Sequence, residues 1–309
     1  MFLSACSGGS NAGSALPSVA NAGAHAKARP ADTLGGVGGL LSILLGDAPP
    51  SIGGLTPSAI NLGIDSVAVV SNGTVTTLAQ YPTPYVVNVL AAQNDPSAIG
   101  IGQYFSGAYQ QLQFTFDVAT SQVVAGGQNY PITFLPGSAQ LSSAGAGATT
   151  SSTGNATTVT VTVNGNFAID GYPAATVKAD FNALESLAQT PNGNIVSRPT
   201  MFAVPGSLAG AISGTVVSST SGGPVSGAVV VALDQNGNVD NTVATDSNGT
   251  FHLHTIAAGM YTLVVYNTYT TASGQVLNAV GNGSTASSVA GPSATVTAAQ
   301  VTQVGSIAD

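Results

Sequence analysis

The sequence predicts an all-β protein: two β-sandwich domains in tandem behind a disordered N-terminal tether. Three observations predict it. Length is the first, since 309 residues accommodate two domains more naturally than one. The second is the pattern from Leu40 onward, where short apolar or alternating segments are separated by Gly, Pro, Asn and Asp, with almost no helical period. The third is composition. Only 5% of residues are charged while 44% are hydrophobic, so the chain can bury a core, and its surface must be built from hydroxyls and amides.

The first segment, Gly39 to Leu45, is apolar and stops at Gly46-Asp47-Ala48-Pro49-Pro50. Asp47 reads there as a turn cap. Ile60 to Val70 alternates and ends at Asn72-Gly73, the favoured dipeptide of a two-residue hairpin, which predicts a return strand over Thr74 to Leu78. Further strands are expected over Tyr85 to Leu90, Gly107 to Val118, Ser121 to Val124 and Tyr130 to Phe134. Residues 142–157, almost entirely Ser, Thr, Ala and Gly, read as a low-complexity loop. Val159, Val161 and Val163 alternate with threonines, so the valines should face a core. Ala175 to Ala179 is a strand, and Phe181 to Ala188 is the one helical turn expected.

A second unit begins near Ser207, which places the domains at 38–205 and 207–309. It contains about seven predicted strands in a hundred residues, the density of a β-sandwich. Its last two are Ala294 to Ala298 and Val301 to Ile307.

At the N-terminus stands Leu3-Ser4-Ala5-Cys6, followed by Ser7-Gly8-Gly9-Ser10. The box resembles a bacterial lipobox, in which the cysteine is acylated and becomes the mature N-terminus. Residues 1–6 are then the end of a signal peptide whose basic and apolar regions lie upstream of Met1. Residues 7–37 would be a flexible tether, whose thirty or so residues reach on the order of 30 Å. The alternative is a free thiol in a disordered tail. Lipidation at Cys6 implies export and a membrane-anchored place in the bacterial envelope.

Two family resemblances follow from quoted motifs. Ile212-Ser213-Gly214-Thr215-Val216, Pro224-Val225-Ser226-Gly227-Ala228, Thr245-Asp246-Ser247-Asn248-Gly249-Thr250-Phe251 and Ala258-Gly259-Met260-Tyr261 occur in the order of the carboxypeptidase regulatory-like domain, a transthyretin-like sandwich. That resemblance implies a scaffold or spacer without catalytic residues. In it Asp246 to Gly249 makes a tight turn, and Gly259 is expected to supply a positive φ. Residues 38–205 resemble the domain-of-unknown-function 4382 family of exported bacterial lipoproteins. The resemblance is carried by Gly46-Asp47-Ala48-Pro49, Asn61-Leu62-Gly63-Ile64-Asp65, Phe105-Ser106-Gly107-Ala108-Tyr109 and Val177-Lys178-Ala179-Asp180-Phe181-Asn182 leading to Arg198-Pro199-Thr200. It implies location and architecture but no activity.

Few chemistries remain. Lys27, Arg29, Lys178 and Arg198 are the only basic residues besides histidine and the net charge is −8, so nucleic acid is not a partner. His252 and His254 would occupy one strand face, pointing to solvent, with Phe251 and Leu253 inward. Asp234, Asn236, Asn238 and Asp240 space their oxygens like the start of a calcium loop but lack the closing glutamate, and the hairpin turn needed here is the commoner reason for such residues, so no metal is expected. No Gly-x-Ser-x-Gly elbow and no carboxylate pair at a recognisable cleft is present, so neither catalysis nor a cofactor is expected. The reading is a structural or interaction protein. Its rival is an adhesin or glycan-binding module that uses Tyr81, Tyr85 and Tyr104 at one sandwich end, although core packing is the commoner fate of such rings. With one lysine in the folded region, edge strands lack their usual protection, which leaves self-association or pairing with another envelope protein open.

Overall fold

The computed structural model describes residues 38–46, 52–91, 97–105, 107–135, 139–143, 146–151, 157–169, 174–281 and 287–309. Cys6, the tether and Asp47 lie outside the described residues.

The first unit runs β1 (Gly38–Gly46), β2 (Pro57–Ser71), β3 (Thr74–Asn88), β4 (Ser97–Phe105) and β5 (Gly107–Ala125). It continues with β6 (Gln128–Phe134), β7 (Ala139–Ser143), β8 (Ala146–Ser151), β9 (Thr158–Ile169) and β10 (Ala174–Phe181). After β10 come a four-residue helix, α1 (Ala183–Ser186), and β11 (Leu187–Gln189), β12 (Ile195–Ser197) and β13 (Met201–Pro205). One sheet has the order β13-β10-β1-β4, and the other is centred on the long β5, which pairs β2, β9 and β6. The alternation in β9 works as expected. Val159, Val161 and Val163 stand opposite Phe116, Phe114 and Leu112 of β5, and all six are buried. The core centres on Phe116, whose ring lies 6.0 Å from Phe134 and 6.4 Å from Phe181 of β10.

Some expected boundaries move. Tyr85 belongs to the same strand as Thr74, and β5 joins two expected strands into one of 19 residues. Much of the stretch read as a low-complexity loop is instead β7 and β8, added beyond β9. Small β-branched and hydroxyl side chains suit an outer strand even where composition resembles a linker. Asn72 and Gly73, at φ 49° and 77°, form the hairpin that the dipeptide predicts.

The second unit comprises β14 (Ala209–Val217), β15 (Val229–Leu233), β16 (Val239–Ala244), β17 (Thr250–Ala257) and β18 (Gly259–Tyr266). Then come β19 (Thr268–Thr270), β20 (Val276–Asn278), β21 (Ser288–Val296) and β22 (Val301–Ala308). Sheets β17-β14-β22 and β16-β15-β18-β21 enclose a core of Ile212, Val216, Val230, Phe251, Leu263 and Ile307, among others. Asp246 caps its turn as expected: its Oδ1 accepts from the N–H groups of Asn248 and Thr250, and Gly249 sits at φ 72°. Gly249 also lacks room for a side chain, since an added Cβ would collide with the Val216 carbonyl oxygen. The expectation for Gly259 is corrected. Its φ is not positive, and Thr255, at φ 52°, takes the left-handed conformation in that region. The hairpin β19–β20, absent from the sequence reading, folds over the outer face of β15.

A buried joint as the candidate interaction site

The two sandwiches meet where β10 ends. Asn182 caps α1 by accepting the Glu185 N–H on its side-chain oxygen at 3.0 Å, which tightens the chain into one turn and aims Leu184 and Glu185 at the second unit. Asp180 on β10 and Glu185 on α1 are 6% and 0% exposed.

The polar side chains of Asn182, Asn241, Thr242 and Glu185 are answered across this joint. The Asn182 side-chain amide donates to Asn241 Oδ1 (2.9 Å) and lies 3.0 Å from both the carbonyl and hydroxyl oxygens of Thr242. The Asn241 amide donates to Asp180 Oδ2 (3.1 Å) and to the His254 carbonyl (2.8 Å). Glu185 accepts from the Thr242 hydroxyl on Oε1 (3.0 Å) and from the Ala272 N–H on Oε2 (2.7 Å). Ser273 adds two bonds to backbone, N–H to the Glu185 carbonyl and hydroxyl to the Leu187 carbonyl, each 3.0 Å. Buried polar groups are tolerated only when satisfied in this way.

An apolar patch lies beside the polar one. Leu184 packs on Val229 and Val231, with Tyr266, Tyr269 and Leu277 of the second unit around them. This explains why Val229-Val230-Val231-Ala232 is an unbroken apolar run. Val230 and Ala232 face the sandwich core, whereas Val229 and Val231 face α1 and the β19–β20 hairpin, so both faces of β15 are buried.

Electrostatics follow the burial. Desolvation raises the Asp180 carboxyl to about 7 against the opposing effect of the Asn241 amide. Burial also raises Glu185, opposed by its donors Ala272, Tyr269 and Thr242. Burial and the adjacent Glu185 charge push the Tyr269 phenol well above its ordinary range. The rings of His252 and His254 lie with centroids 4.0 Å apart, tilted by 35°. They do not point freely to solvent as expected, because β17 packs beside β10 and β13 and leaves both half-buried. Burial, the neighbouring His252 and then Lys178 lower His254 to about 4, and its Nε2 has no hydrogen-bond partner among the described residues.

The sequence-predicted sites fall elsewhere. Tyr81 is buried and stacks on half-buried Tyr85 at 5.3 Å, both against the first core. Burial and the neighbouring Tyr85 raise the Tyr81 phenol to about 12. Tyr104 lies in β4, which is described by its backbone alone. The Asp234 carboxylate is filled by its own turn: Oδ1 accepts the Asn236 and Asn238 N–H groups at 2.8 Å each, and Oδ2 faces their side-chain amides. Asp240 is raised to about 6 by burial, beside the Tyr261 phenol. Among the described residues no three His, Cys, Asp or Glu side chains gather as a metal site, and no helix is long and apolar enough to cross a membrane. Sequence reasoning missed the joint, although Val229 to Ala232 and the lone Glu185 were its two visible signals.

No curated protein matches the chain. Among solved structures it is similar to the major pilin subunit of Bacillus cereus, at 12% identity over 87% of this chain and 98% of that one, with a TM-score of 0.22. The minor pilin of Streptococcus agalactiae gives 11% identity, 86% and 94% coverage and a TM-score of 0.20. A shaft pilin of Lactobacillus rhamnosus GG gives 8% identity, 87% and 96% coverage and a TM-score of 0.20. TM-scores this low are below those of a shared overall arrangement. The family comparison is specific to the second unit: a carboxypeptidase regulatory-like domain is found at residues 211–304, from within β14 to within β22.

Proposed function

We propose that this chain is a non-catalytic cell-envelope protein of structural or interaction type, exported and held at a bacterial membrane by lipid on Cys6. Residues 7–37 serve as its tether. The first sandwich, 38–205, is of the domain-of-unknown-function 4382 kind, and the second spans 207–309.

The buried joint is the observation that carries this reading. Two carboxylates, placed where they could do chemistry only if a substrate reached them, are sealed and used as hydrogen-bond acceptors between domains. Such a joint makes one stiff body from two modules, whereas independent domains are joined by small polar interfaces that permit relative motion. Stiffness suits a spacer that displays a surface at a fixed distance. Partners then meet the outer strand edges, where β21 and β22 each pair on one side only among the described residues.

Expression of the gene with its upstream region in a bacterial host, followed by intact mass measurement of the purified N-terminus, tests the anchor. A diacylglyceryl or triacyl mass on Cys6 is expected. An unmodified cysteine in a membrane-free fraction removes the anchor from the proposal.

A further inference from the structure

The second sandwich joins its first and last strands directly. β14 and β22 are parallel, in register from Ala211↔Val301 to Val217↔Ala308, with one irregularity between Ser213 and Thr215. Because they are parallel, the start of β14 and the end of β22 lie at opposite ends of one hydrogen-bonded ladder. Tension applied before β14 and after β22 therefore pulls the strands past each other along their length. All the bonds between them are loaded together, instead of one after another as in peeling.

We propose that this parallel pair is a shear clamp, and that the second sandwich is built to carry tension between its two ends. Among the described residues β22 is an edge strand whose one ladder runs to β14, so that ladder sets most of the resistance. Both ends of the ladder are reinforced. At one end the Ala211 N–H donates to the Gln300 carbonyl (3.0 Å) and the Ala299 N–H donates to the Ala209 carbonyl (2.8 Å). At the other, the Asp309 N–H donates to the Val217 carbonyl (2.9 Å), and Asp309 itself is buried. Midway, the Thr215 and Ser306 hydroxyls are 2.9 Å apart across the two strands, and Ile307 is buried in the core. Tension delivered through β14 reaches a firm support. The Gly206 N–H is bonded to the Thr176 carbonyl of β10 at 2.7 Å, the Leu208 carbonyl accepts the Ala258 N–H at 2.8 Å, and the joint secures the rest. The anchored reading supplies the reason why tension would arise in the cell; the clamp itself follows from topology.

The test loads the same bonds in two directions by single-molecule pulling on the full chain. Cys6→Ser removes the native thiol, and one handle is fixed at the C-terminus after Asp309. The second handle is attached through Ser207→Cys in one protein and Ser221→Cys in the other, both at exposed serines. The first pair shears β22 against β14. The second peels it, because Ser221 lies just beyond the end of β14 where β22 also ends. Forced rupture reports the unfolding barrier, so the shear geometry should break at a force higher by about two-fold or more at equal loading rate. The events are identified by released contour lengths on the order of 350 Å and 300 Å respectively. Equal forces, or a stronger peeling geometry, overturn the clamp. An unmodified Cys6 in the mass measurement of the wild-type chain, with the pulling asymmetry intact, would overturn only the anchor.

Discussion

Glu185 accepts bonds from the second sandwich on both carboxylate oxygens, so its removal strands the donors Thr242, Ala272 and Tyr269. In Glu185→Ala the Thr242 hydroxyl, on a residue 4% exposed, the Ala272 N–H and the Tyr269 phenol all lose their acceptor. An unsatisfied buried donor costs about 1–3 kcal/mol. Relief of the cost of burying the carboxylate returns part of this, which leaves a net loss of about 3 kcal/mol. Glu185→Gln separates acceptor loss from shape. Its amide oxygen still serves the Ala272 N–H, while its NH2 must face the Thr242 hydroxyl, which can turn to accept. The expected loss is then about 1 kcal/mol. Urea unfolding followed by circular dichroism and tyrosine fluorescence measures both variants, since the chain has no tryptophan and nine tyrosines, with Tyr269 beside Glu185. At an m-value of about 3 kcal/mol/M, alanine should lower the midpoint by about 1 M and glutamine by about a third of that. An alanine variant with the wild-type midpoint, or glutamine more damaging than alanine, refutes the argument that the joint stabilises through these acceptors.

Further expectations concern pH, packing and calcium. Asp180 is raised from 3.8 to about 7 on folding, so the folded state holds more protons there, and this contribution to stability is greatest at low pH and is lost as pH rises through about 4–7. His254 is lowered from 6.5 to about 4, so its contribution is present above 6.5 and is lost as pH falls through 6.5 to 4. Thermal melts between pH 7.5 and 4.5 should therefore show Asp180→Asn losing an acid-side gain relative to wild type, and His254→Gln enlarging it; identical pH profiles would refute both assignments. Gly214→Ala places a Cβ 2.8 Å from the Gly305 carbonyl oxygen, the Phe251 ring and Val304, an overpacking that should cost about 1–3 kcal/mol by chemical denaturation. Millimolar calcium should not raise the melting temperature, because Asp234 is occupied by the Asn236 and Asn238 amides; a calcium-dependent rise abolished by Asp234→Ala would reinstate a metal site.

The sequence makes the fold class legible because strand period and turn chemistry are local. Asn72-Gly73, Asp246 to Gly249 and the valines of β9 each state their conformation within a few residues. What it conceals depends on contacts distant along the chain. Nothing near Asp180 announces Asn241, 61 positions away, and Glu185 meets Ala272 at a separation of 87. β8 was hidden for another reason: its Ala/Gly/Thr/Ser composition has no side chain large enough to mark one face, so the alternation that identifies a strand is silent. His252 and His254 followed the expected strand period, but their exposure was decided by β10 and β13 of the other sandwich. Scarcity of charge left one useful clue, since a lone glutamate in a chain of 309 residues is worth asking about.

The joint also imposes an order in time. Leu184 and Glu185 are made with the first sandwich, while their partners at Val229, Thr242 and Ala272 come about 45–90 residues later. At 5–20 residues per second the wait is roughly 2–20 s, during which α1 presents a leucine and a carboxylate that only the second sandwich can cover. The nascent first sandwich therefore carries a built-in reason to remain unfinished. A chain truncated after Pro205 keeps that sticky, half-hydrated end indefinitely, so the second sandwich serves the first as an internal chaperone that never leaves.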